Sequence, residues 1–152
     1  MKLLLTLMTV IGGLSTWTQM QDRHSSIAST DVLLDTVDED YIPTDLEDCF
    51  RQIDRLCHDS VKAKVRVLEE NDFATRNHMS FGMWMRNNWG LWGGSRLAKW
   101  FNSIGIYHPD DMSGIILTSY HRYLNHREID LDGQVKYYQA YWKKMEEMQN
   151  KE

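Results

Sequence analysis

The stretch HMSFGMWMRNNWGLWGGSRLAKWFNSIGIYHPDDMSGIIL, His78 to Leu117, decides the fold class. Phe81, Trp84, Met85, Trp89 and Trp92 recur mostly at intervals of three and four, which sets the large side chains on one face of a helix. Gly93-Gly94 ends that helix, and Ser95 suits the N-cap of the next. There Leu97, Trp100, Phe101 and Ile104 face inward, and Gly105 followed by Ile106 fits a left-handed C-cap with its apolar contact. These two helices are expected to form a tight hairpin. Pro109 then opens a third helix, with Asp110 and Asp111 where the positive end of the dipole favours carboxylates. Its buried side is Met112, Ile115, Ile116, Ser119, Tyr120, Tyr123 and Leu124, and Asn125 marks its end.

Upstream, Thr44 and Glu47 make a capping box ahead of the stripe Leu46, Cys49, Phe50, Ile53, Leu56 and Cys57. Eight residues of helix rise about 12 Å, whereas a disulfide needs Cα atoms within about 7 Å. Cys49 and Cys57 therefore cannot pair within that helix and read as small buried residues. A thinner stripe, Val61, Val65 and Leu68, gives a second helix over Ser60–Glu70, and Asn71-Asp72 starts a turn running to His78. Downstream, Leu131, Val135, Tyr138, Trp142 and Met145 give a last helix before the polar tail. No alternating segment is long enough for a strand. The fold class is an all-α, small bundle of five to six short helices, within a domain over residues 42–149.

Residues 1–18 carry one charge, Lys2, before a run from Leu3 to Ile11 that is apolar apart from two Thr. That is about half a membrane span, so it reads as a signal peptide or N-terminal anchor, with no span in the mature chain. Residues 19–41 hold Asp31, Asp35, Asp38, Glu39 and Asp40 with few apolar partners and read as a flexible acidic linker. The expected location is thus exported, periplasmic or secreted, with retention by an uncleaved N-terminal segment as the variant. Of 152 residues, 17 are Lys or Arg and 22 Asp or Glu; a net charge of -5 lacks the basic footprint of nucleic-acid binding.

The motifs GMWMRNNWGLW, GSRLAKWF, GIYHPDDMSGIIL and QVKYYQAYW resemble, in that order, a bacterial family catalogued as a domain of unknown function. The likeness runs from Ile42 to Trp142. It implies a small helical domain, commonly in a short protein behind an N-terminal signal or tether, and brings no activity or site residue with it.

Chemistry must come from the residues. His108, Asp110 and Asp111 offer an imidazole and two carboxylates, but as readily cap and charge a helix start. His121 and His126 lie five apart, which splays them on a helix, where a zinc pair needs about four. Neither Ser95 nor Ser113 sits in a nucleophile elbow. No metal and no cofactor is expected. The aromatic set exceeds what a small core needs, so some rings are expected to line a groove for a protein or glycan partner. Arg86 is expected to pair with Asp110 or Asp111, or to meet an anionic ligand at the groove mouth. The candidate ligand-binding residues are Arg86, Trp89, Trp92, Tyr107, His108, Asp110 and Asp111. The function read from them is a non-catalytic binding or interaction module of the bacterial cell envelope. The alternative is a small metal-assisted hydrolase centred on His108, Asp110 and Asp111.

Overall fold

The computed structural model describes residues 41–151, so the export-signal reading and nearly all of the acidic linker lie outside the described residues. Seven α-helices follow: α1 Leu46–Leu56, α2 Asp59–Arg66, α3 Glu70–Asn77, α4 Met83–Asn88, α5 Arg96–Ser103, α6 Pro109–Leu124 and α7 Leu131–Gln149. A π-helical turn, His78–Gly82, joins α3 to α4 without a break, so the described residues make six helical rods. No strand occurs among the described residues, and the expected all-α bundle is what forms.

α1 starts one residue later than the capping box predicts. Asp45, not Thr44, is the N-cap, its side chain accepting the Asp48 N–H at 2.9 Å. Asp48 reaches back to the Thr44 N–H at 3.0 Å and also receives the Tyr41 hydroxyl at 2.7 Å. The two Asp carboxylates thus take the place of Thr44 and Glu47, with the return bond going to the N–H of the residue before the cap. Behind it Cys49, Phe50 and Ile53 are buried. Burial pushes the Cys57 thiol up to about 11 and that of Cys49 well above its ordinary value, which leaves both cysteines unreactive packing residues.

The turn expected after Asn71 is a helix instead. α3 buries one side chain, Phe73, so its sequence shows almost no period, yet that ring anchors it against the centre of the bundle. The Trp-bearing helix is also shorter than the stripe suggests, ending at Asn88. Gly90, at φ +62°, turns the backbone where a side chain would be strained. Trp92 consequently leaves the stripe.

α6 is the hub: Ile115, Ile116, Leu117 and Tyr120 are buried, and each other helix packs against it. α4 and α5 meet α6 rather than closing on each other as a tight hairpin. α7 packs on α6 and has no fully buried residue, so its stripe Leu131, Val135, Tyr138 and Met145 is half-covered. No helix of the described residues is long and apolar enough to cross a membrane.

At the far end of the bundle Glu70 ties three segments. Arg122 grips it with Nε at 2.9 Å and Nη2 at 2.8 Å, and Arg127 adds a contact at 3.2 Å. The Arg122 hydrogen bonds hold the Glu70 carboxyl below the usual glutamate range. A depressed folded value means this stability is complete above the unfolded pKa and is lost as pH falls through the folded one. Glu70→Gln should therefore lower the unfolding free energy by about 1 kcal/mol at pH 7, with the difference vanishing in acid. Urea melts of both proteins at pH 7 and pH 3.5 measure it. An equal gap at both pH values would rule out the carboxylate as its source.

Candidate functional site

The start of α6 is fixed from several sides. Pro109 occupies the first turn, where its missing N–H is no loss, and the His108 ring caps the helix, its Nδ1 accepting the Asp110 N–H at 3.3 Å. That nitrogen is an acceptor, which leaves Nε2 as the ring's donor position in neutral His108. Asp110 and Asp111 then leave the helix in different directions.

Asp110 turns toward the π-helical turn and α4. Its Oδ1 lies 3.0 Å from Arg86 Nε, the ion pair expected from the sequence, and Arg86 Nη1 donates to Ser113 Oγ at 2.7 Å. Arg86 is only 3% exposed. The guanidinium passes so near Gly82 that a Cβ there would sit 3.2 Å from Nη1, which explains a glycine inside the π turn. His78 Nε2 stands 3.6 Å from Asp110 Oδ1 and His108 Nδ1 3.6 Å from Oδ2.

Asp111 turns the other way, toward α7. Its Oδ2 accepts the Trp142 indole N–H at 2.6 Å, and burial raises its carboxyl above the usual aspartate value against the lowering effect of that bond. Trp142 in turn leans on the His108 ring, centroids 5.3 Å apart, and Trp92 meets His108 edge-on at 6.1 Å. Tyr138 crosses α6 at Gly114, where a Cβ would lie 2.5 Å from its hydroxyl. Burial pushes the Tyr138 phenol up to about 12.

Between the Gly105–His108 segment and α7 lies an open groove of about 670 Å³. Tyr107, His108 and Asp111 form one side and Tyr138, Trp142 and Met145 the other. Of the residues singled out from sequence, Tyr107, His108 and Asp111 thus line the groove, and Trp92, 59% exposed, borders it through His108. Buried Arg86 and partly exposed Asp110 pair with each other outside the groove lining. Trp89 is elsewhere: 2% exposed, it packs edge-on to Trp84 in the core.

The α7 side of the groove escaped the sequence reading. Tyr138 and Trp142 counted there as part of the aromatic excess, but their helical stripe read as core, whereas Trp142 is 45% exposed. The signal was the charge beside them, Lys143, Lys144, Glu146 and Glu147, which fits a shallow helix better than a buried one.

The triad considered for a metal does not converge. Asp110 is engaged by Arg86 of α4 and Asp111 by Trp142 of α7, and among the described residues no three His, Cys, Asp or Glu side chains form a ligand set.

Fold and site define an all-α domain with an aromatic-walled groove at the start of its central helix. The chain belongs to a family whose model is described as a domain of unknown function (DUF6794) and matches residues 42–124. The match ends with α6, so α7 and the motif QVKYYQAYW lie beyond it. Comparisons with curated proteins and with solved structures return no match.

Proposed function

We propose that this domain is a non-catalytic binding module of the bacterial cell envelope, exported by residues 1–18, tethered by the acidic linker and recognising its partner in the Tyr107–Trp142 groove. The observation that carries this reading is the run of rings Trp92, His108 and Trp142 along the groove rim, with Tyr107 73% exposed beside them. Contiguous exposed rings on a small domain mark a contact surface, since each loses apolar hydration when covered. Trp and Tyr are also the residues that most often dominate binding energy at interfaces. Export is supported by Lys2 followed by the short apolar run Leu3–Ile11.

The test uses the full chain expressed in bacteria. It should partition with the envelope fraction and retain a protein or glycan from it. Tyr107→Ser with Trp142→Ala should lose that partner at least tenfold, about 1.4 kcal/mol or more, while keeping the helical circular dichroism spectrum. Equal retention by the folded double variant, or recovery of the chain with the cytosol, would overturn the proposal.

A further inference from the structure

One charge in the groove has no counterpart. Asp111 is 8% exposed; its Oδ2 takes the Trp142 indole N–H, and among the described residues no donor meets its Oδ1. The residue nonetheless lines the groove. The nearby basic groups face elsewhere: Arg86 is paired with Asp110, His78 Nε2 stands 3.6 Å from that same carboxylate, and His108 turns its Nδ1 to a backbone N–H. On α7 the groove carries Lys143 and Glu146, which offset each other in charge. The floor is left with one unneutralised carboxylate under the rings of Tyr138 and Trp142.

We propose that the groove, if it is the binding site argued above, receives an arginine or lysine side chain from a basic segment of a partner protein, the cation meeting Asp111 Oδ1 and the stem lying against Trp142 and Tyr138. A carboxylate largely withdrawn from water gains more from a counter-ion than an exposed one, because the medium screens the pair less. Aromatic faces attract the same cation, and a guanidinium is weakly hydrated enough to enter. The α6 N-terminus opposes this with about half a positive charge, less than the full charge on Asp111. At the other end of the groove the α7 C-terminal carbonyls favour a cation. From Tyr138 to Gln149 the groove follows about 16 Å of helix, the length of about five extended residues. The chain's net charge of -5 favours encounter with a basic segment.

The experiment is an NMR titration of the full chain with the acetylated, amidated pentapeptide GGRGG. The readout is the Trp142 indole N–H, assigned by its loss in Trp142→Phe. A counterpart with citrulline in place of arginine keeps the shape without the charge, and GGKGG supplies the other cation. Saturable shifts are expected with both cations, with at least tenfold weaker binding of the citrulline peptide. Asp111→Asn, whose side-chain oxygen still accepts the indole N–H, should weaken the arginine peptide at least tenfold. Equal binding of the citrulline peptide, indifference to Asp111→Asn, or no shift with either cation would each overturn the proposal. If envelope retention then still depends on Tyr107 and Trp142, only the cation assignment has failed; if it does not, the binding-module reading fails as well.

Discussion

Trp89→Ala is expected to lower the unfolding free energy by about 4 kcal/mol, and Trp92→Ala by less than about 0.5 kcal/mol. The two tryptophans lie three residues apart and belong to the same apolar spacing. What separates them is the end of α4 at Asn88 and the left-handed turn at Gly90. Trp89 is turned into the core, edge-on to Trp84, and removing its indole leaves a void in a rigid interior. Trp92 points out over His108 and loses little when shortened. A domain of this size has in total about 5–15 kcal/mol of stability, so the Trp89 change removes a large part of it. Denaturant midpoints with unchanged slopes measure both effects. A Trp89→Ala cost under 1 kcal/mol would mean that this ring is not the packing centre assigned to it.

That pair of residues also shows how far the sequence could be read. α1, α5 and α6 were legible because each combines a stripe with a local end signal: Ser95 accepts the Ala98 N–H at 3.2 Å, Gly105 takes φ +83°, and Pro109 opens α6. Such signals are chemical needs of the backbone within a few residues, so they survive in the sequence. α3 was not legible. With Phe73 as its one buried residue among Glu70, Asn71, Asp72 and Arg76, it has no period to detect and is helical because of what it packs on. α7 was legible as a helix but not in its depth, since a stripe gives direction and not the number of neighbours that cover it. The site divides the same way. His108, Asp110 and Asp111 stood out by local motif, while Trp142, which sets the geometry of Asp111 from 31 residues away, is brought there only by tertiary folding.

Asp110→Ala should cost between about 2 and 3 kcal/mol, more than Arg86→Met, although Asp110 is the more exposed partner. Removing one member of a buried pair costs about 3–5 kcal/mol because the other charge is left uncompensated. Here the Asp110 side chain is 38% exposed, so water reaches the vacated position and the penalty falls below that range, to about 2 kcal/mol. Loss of a carboxylate from the first turn of α6 adds about 0.5 kcal/mol. In Arg86→Met the freed Asp110 is solvated, Ser113 Oγ still donates to the Asp110 carbonyl at 2.9 Å, and the methionine stem fills most of the space. The double variant should be more stable than Asp110→Ala alone, because no guanidinium is left buried without its partner. A double-mutant cycle on thermal and urea unfolding gives the coupling, expected at about 1–2 kcal/mol, and simple additivity would show that the pair does not hold these segments together. The same cycle bears on the groove. Through Arg86, Asp110 anchors the α6 start to α4, and Asp111 is the next residue, so its aim at Trp142 depends on that anchor. The arginine peptide should therefore bind Asp110→Ala more weakly than Arg86→Met at a temperature where both are fully folded.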